Sequence, residues 1–122
     1  EVNCESDFVA KTDDFIEFAK NIAMHIAASA PVGVEKEDVP EDLVSREKEV
    51  YRQQTIEMGK PEKMIDKIVE GKLNKFFKES CLMSQAYVKD PNITVQDLLN
   101  DVISKIGENI KIRRFSRFQI GE

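Results

Sequence analysis

Asn3-Cys4-Glu5-Ser6-Asp7-Phe8-Val9-Ala10, followed by Lys11-Thr12-Asp13-Asp14, decides how this chain reads. Before it, Val2 and Cys4 alternate with polar neighbours from Glu1 to Ser6, the period of a half-buried strand. After it, Thr12 or Asp13 can cap a helix, and the acids Asp13 and Asp14 suit the positive end of a helix dipole. A strand that feeds a helix points to a mixed fold. The junction sets the Phe8 ring beside the Asp7 carboxylate. A large apolar side chain in such a place is either a core anchor or a wedge for a partner. Phe is usually buried, so residue type alone favours the anchor.

Working outward, Thr12 to Ala30 reads as the first helix. Phe15, Phe18, Ala19, Ile22 and Ile26 recur at three and four residues and line one face. Ile16, Ala23, Ala27 and Ala30 widen that stripe, so the helix is expected to pack on two sides, with Pro31 and Gly33 ending it. Val34 to Pro40 is an acidic connector. Glu41 to Met58 reads as a second helix with a narrow stripe of Leu43, Val44, Val50, Tyr51 and Met58. Gly59-Lys60-Pro61 is a stop-and-restart signal, with Pro61 expected in the first turn of a third helix that runs to about Ser80. That third helix carries Ile65, Ile68, Val69, Leu73, Phe76 and Phe77 on one face. So short a break predicts an antiparallel helical hairpin over 41–80, much of it projecting into solvent.

Leu82 to Asp90 reads as a loop or short extended piece, and Asp90-Pro91-Asn92 as a turn. Thr94, with Asp97 three residues on, opens a fourth helix through a capping-box-like pattern. Val95, Leu98, Leu99, Val102, Ile103 and Ile106 give it a core face, and Gly107 is placed to end it. Asn109 to Ile120 reads as a strand with one mostly apolar face (Ile110, Ile112, Phe118, Ile120) and one mostly basic face. The expected fold is therefore α+β. A small antiparallel sheet built from the terminal strands packs against helices, and residues 1–122 form one domain.

Composition bounds the chemistry. The chain has 122 residues, 41% hydrophobic and 34% charged, with a formal net charge of -5. It can bury a core without metals or disulfides. The acidic total argues against a phosphate-neutralising surface, and no apolar run is long enough to span a bilayer. The chain opens on Glu1-Val2 without an initiator Met, which is the expectation for a piece of a longer protein. Cys4 and Cys81 fit neither a zinc spacing nor a CxxC motif and read as two reduced thiols, a disulfide between them being the alternative. The single histidine, His25, cannot build a multi-histidine metal site. No nucleophile elbow or nucleotide-binding glycine loop occurs, so the chain reads as a non-catalytic binding protein with no cofactor and no metal of its own. On its apolar helix, His25 reads by itself as a satisfied, semi-buried side chain. The stretch Lys111 to Phe118 interleaves cations with aromatics, the look of an RNA-binding face. The acidic total favours a solvated sheet face instead.

The opening segment resembles the signature of the elongation factor Ts family, Asn-Cys-(Glu or Gln)-Thr-Asp-Phe-Val-Ala. The resemblance runs nearly end to end. It continues through Ala23-Met24-His25-Ile26-Ala27-Ala28, Glu37-Asp38-Val39-Pro40 and Gly59-Lys60-Pro61-Glu62. It goes on through Ile68 to Phe77, Val88-Lys89-Asp90-Pro91, Lys105-Ile106-Gly107-Glu108-Asn109-Ile110, and Arg113-Arg114-Phe115 with Arg117-Phe118. The layout is similar to the core, or dimerisation, domain of the family's short form. The resemblance implies a guanine-nucleotide exchange factor for the translational GTPase elongation factor Tu, working in the cytoplasm or an organelle. It implies that Asp7 and Phe8, with Val9 beside them, reach the GTPase near its magnesium and phosphate site, and that His25 lies at the contact surface. For Phe8 this is the opposite of the core-anchor role. The hairpin resembles the family's coiled-coil projection.

Two departures stand out. Ser6 replaces the usual Thr and keeps the hydroxyl. The family's N-terminal helical module and the strand that leads into Glu1 are not in this sequence. An exposed sheet edge and a homodimer are expected to follow. The rival readings are an interaction or dimerisation module without exchange activity and an RNA-binding module that uses the arginine strand.

Overall fold

The computed structural model describes residues 1–122. The elements in order are β1 (Val2–Asn3), α1 (Asp7–Ala10), α2 (Asp13–Ser29), α3 (Glu41–Glu57), α4 (Glu62–Ser80), β2 (Ala86–Tyr87), β3 (Asp90–Thr94), α5 (Val95–Ile106) and β4 (Lys111–Ile112). Two short 3₁₀ turns, Lys36–Asp38 and Leu82–Ser84, complete the list. The fold is α+β, and the first and last strands pair antiparallel with Val2 opposite Ile112 and Asn3 opposite Lys111.

Local chemistry sets the helix limits. The Thr12 hydroxyl accepts the Phe15 N–H at the start of α2, and Thr94 and Asp97 form a reciprocal capping box at the start of α5. Gly107 closes α5 at φ 82, a left-handed conformation that costs glycine nothing. The end of α2 differs from the expectation. Ala30 itself turns left-handed, at φ 47, before Pro31. Gly33 serves another purpose. A Cβ there would stand 3.1 Å from the Asp38 backbone, so its absence lets the Lys36–Asp38 turn close upon it. Pro61 is the N-cap of α4 and lies one residue outside the first turn.

The core is one cluster formed by Phe15, Phe18, Ile22 and Ile26 of α2, Val34, Leu82, Met83, Val95 and Leu99 of α5, Ile110 and Ile112. α2 contributes only one side to it. Ile16, Ala23, Ala27 and Ala30 are exposed, so the second packing side expected from the wide stripe is not used. Three of these four are alanines, which bury little area and leave that face with a weak drive to be covered.

α3 and α4 pair as the expected antiparallel hairpin, with Ile65 and Val69 of α4 buried. The seam on α3 differs. It runs through Leu43, Val44, Glu47, Tyr51 and the fully buried Thr55, while Val50 and Met58 face solvent. Val44, Glu47, Tyr51 and Thr55 follow one another by three and four residues, which keeps them on one side of a helix of about 3.6 residues per turn. The Thr55 hydroxyl donates to the Tyr51 carbonyl at 2.7 Å and is thereby satisfied inside the seam.

Two readings of the C-terminal third are corrected. Residues 86–94 form a second antiparallel hairpin, in which Ala86 lies opposite Thr94 and Tyr87 opposite Asp90. Asp90-Pro91-Asn92 is therefore strand, and the reversal falls at Val88-Lys89. The last strand is two residues long, not twelve. Its ladder partner reaches back only to Glu1, whose carbonyl accepts the Arg113 N–H at 3.0 Å. Beyond that point the alternation fails. Phe115 packs on the core, whereas Phe118 and Ile120 are exposed.

Candidate functional site

The residues singled out at the start of the chain fall on α1, a single helical turn. One turn gains too few hydrogen bonds to persist alone, so it must be held from outside. Ser6 is its N-cap, in extended conformation, and the Ser6 Oγ accepts the Val9 N–H at 3.3 Å. At the other end, the Thr12 hydroxyl donates to the Val9 carbonyl at 2.7 Å while it also caps α2. Thr12 thus joins the two helices. Val9 turns inward and packs against the core, half-buried. Asp7 and Phe8 face out, and the Phe8 ring is 82% exposed.

A second anchor comes from the far end of the chain. The Glu5 and Ser6 N–H groups both donate to Glu108 Oε1, each at 3.1 Å, and the Ser6 hydroxyl donates to Glu108 Oε2 at 2.6 Å. In return the Asn109 N–H donates to Glu5 Oε2 at 3.0 Å. The turn carrying Phe8 is therefore clamped onto the segment that follows α5. In the sequence Glu108 carries no signal beyond its place in Lys105-Ile106-Gly107-Glu108-Asn109-Ile110. Its partners lie about a hundred residues away, and no local pattern points to them.

His25 lies elsewhere, and the structure does not bring it to the surface with Asp7 and Phe8. It sits in the C-terminal half of α2 with no exposed area. The Val88 N–H donates to its Nδ1 at 3.1 Å, so Nε2 carries the proton and donates to Gln85 Oε1 at 2.9 Å. The Gln85 amide in turn donates to the Glu79 carbonyl at 3.1 Å. The ring lies 6.0 Å from that of Tyr87. His25 thus pins the second hairpin and the end of α4 to α2. The surface role given to it is corrected by this burial, because both ring nitrogens are already engaged inside the chain.

The basic stretch is also largely engaged. Arg114 and Arg113 reach the Glu1 carboxylate at 3.0 and 3.6 Å, and Arg117 donates to the Ala27 carbonyl at 3.3 Å. Cys4 and Cys81 are free thiols. Burial pushes the Cys81 thiol up, and the charges of Asp38, Glu37 and Glu35 add to the effect. No three His, Cys, Asp or Glu side chains converge as a metal site would require. No helix is long and apolar enough to cross a membrane.

Comparison with known proteins adds a family to this geometry. The profile described as "Elongation factor TS" matches residues 17–122. Elongation factor Ts of Desulfosudis oleivorans is 66% identical over 122 residues, which is all of this chain and 62% of that relative. The proteins of the same name from Geobacter sulfurreducens and Carboxydothermus hydrogenoformans are 59% and 57% identical, again over the whole chain and over 56% of each relative. The chain thus spans between 56% and 62% of these relatives' length. The matched profile begins after α1, whereas the alignments to the relatives include it.

Proposed function

Because this chain belongs to the elongation factor Ts family, we propose that it promotes GDP release from the translational GTPase elongation factor Tu and is not itself a catalyst of bond chemistry. The observation that carries this reading is the Phe8 ring, 82% exposed on a turn fastened at both ends, with Asp7 beside it. An apolar ring held outward on an otherwise capped turn adds nothing to its own fold and is well placed to enter a partner's pocket. Asp7 would meet the hydrogen-bonding groups at the rim of that pocket, and Val9 fixes the turn from behind. The chain would act as one domain in the cytoplasm or an organelle, with the α3–α4 hairpin as a projecting arm.

Exchange is a linkage effect. A factor that prefers the nucleotide-free GTPase weakens nucleotide binding by the same ratio. A shift of about 10⁴-fold needs about 5.5 kcal/mol of differential binding. Burying one Phe contributes about 1.5–3 kcal/mol. Phe8 therefore triggers release, and a broader surface supplies the remainder. The test is stopped-flow release of labelled GDP from elongation factor Tu. Faster release in the presence of the chain supports the reading, and an unchanged rate with measurable binding defeats it.

A second reading, an interaction or dimerisation module without exchange activity, is favoured by one feature. Phe118 and Ile120 are 91% and 102% exposed on a tail that continues from a sheet edge. Concentration-dependent mass without any effect on GDP release would support it.

A further inference from the structure

The exposed ring of Phe8 gains no position from its own burial. Its direction depends on the turn beneath it, and that turn is too short to hold itself. Three fastenings hold α1. Val9 packs on the core, Thr12 ties the C-terminal side, and Glu108 ties the N-terminal side. Glu108 differs from the other two in kind. Its half-buried carboxylate takes both N–H groups that precede the helix on one oxygen and the N-cap hydroxyl on the other. Hydrogen bonds to a carboxylate are the stronger sort, and the 2.6 Å contact to Ser6 is short. The capping oxygen of Ser6 is thus oriented by Glu108 while it accepts from Val9. Gly107, left-handed at the end of α5, makes the bend after which Glu108 meets this loop.

We infer that Glu108 is a positioning residue for nucleotide exchange. It orders the Glu5–Ser6 loop and the cap of α1, so that Phe8 meets its partner already aimed. This rests on the reading of Phe8 as the group that enters the GTPase. Without Glu108 the N-terminal side of the turn loses three acceptor contacts and frays, and the ring samples many directions before it can engage. The ordering then has to occur on binding and subtracts from it.

The test is a double-mutant cycle in the full chain, read by GDP release from elongation factor Tu and by amide hydrogen exchange. Glu108→Ala should lower the efficiency of release about tenfold, because the ordering that its three contacts supply must then occur on binding. Glu108→Gln, whose oxygen still accepts both backbone N–H groups, should stay within about threefold. In a Phe8→Ala background, Glu108→Ala should have almost no further effect, because its influence passes through that ring. The Glu5 and Ser6 amides should exchange faster in Glu108→Ala, while the centre of α2 keeps its protection. Losses that multiply with Phe8→Ala, a Glu108→Gln variant as slow as Glu108→Ala, or unchanged protection at Ser6 would overturn the assignment. Should Glu108→Ala unfold the chain, Glu108→Gln with Ser6→Ala carries the same cycle. An unimpaired Phe8→Ala would defeat the underlying reading first. A normal Phe8 effect with an inert Glu108 would defeat only this inference.

Discussion

The turn that carries Phe8 and the C-terminal half of α2 that carries His25 treat their side chains in opposite ways. An aromatic ring stands 82% in solvent, while the only imidazole in the chain has no exposed area at all. The usual partition would place them the other way round. Phe8 is held by backbone and cap bonds beneath it and touches little itself. His25 is held by its own ring nitrogens and ties three elements together. The difference separates two kinds of importance. A residue whose removal leaves the fold whole can be read through function, and one that satisfies buried partners is read through stability.

The largest effect on the sealed side is expected from His25→Ala. It strands the Val88 N–H and the Gln85 Oε1 and opens a cavity, so denaturant unfolding should show a loss of about 2–4 kcal/mol. GDP release per folded molecule should hardly change. Full stability together with lost exchange would break the comparison and return His25 to the contact surface. Val9→Ala sharpens the boundary between the two regions, because Val9 shares α1 with Phe8 yet packs inward. It should cost about 1 kcal/mol of stability and only a few-fold in release.

The smallest effect is one of pH. Burial raises the Tyr87 hydroxyl and the Cys81 thiol above their ordinary values of 10.0 and 9.0, helped by the charges of Glu17 in the first case and of Asp38, Glu37 and Glu35 in the second. The folded chain then keeps protons that the unfolded chain has released. Stability from these groups is complete below about pH 9 and falls as the pH rises through the raised values. Melting temperatures at about pH 8 and about pH 11 should decline accordingly. Cys81 should resist alkylation in the folded chain, because its thiolate is disfavoured. Rapid labelling of Cys81 under native conditions would show that this side of the core is open.

Much of this arrangement was legible in the residues. Thr12, Gly59, the Thr94–Asp97 pair and Gly107 mark helix ends because capping is settled within one turn of chain. Strands were harder. The pairing of Ala86 with Thr94 depends on a partner across a reversal, and the apolar alternation through Phe118 and Ile120 looks like a strand whether or not a neighbouring chain is present. Asp7 and Phe8 could be singled out from the opening signature, but their mounting could not. Glu108 reaches Ser6 across 102 positions of chain, a contact that only the folded molecule displays. The same resemblance that marked Phe8 also marked His25, while the apolar periodicity around His25 had already pointed inward.

The most direct test is the rate at which elongation factor Tu releases labelled GDP with the Phe8→Ala variant, set beside the variant's thermal melt. Release should slow about 10- to 100-fold, the equivalent of one lost aromatic burial, while the melt stays within a degree or so of the unsubstituted chain. An unchanged rate, or a rate that falls only in step with the melting temperature, would contradict the account.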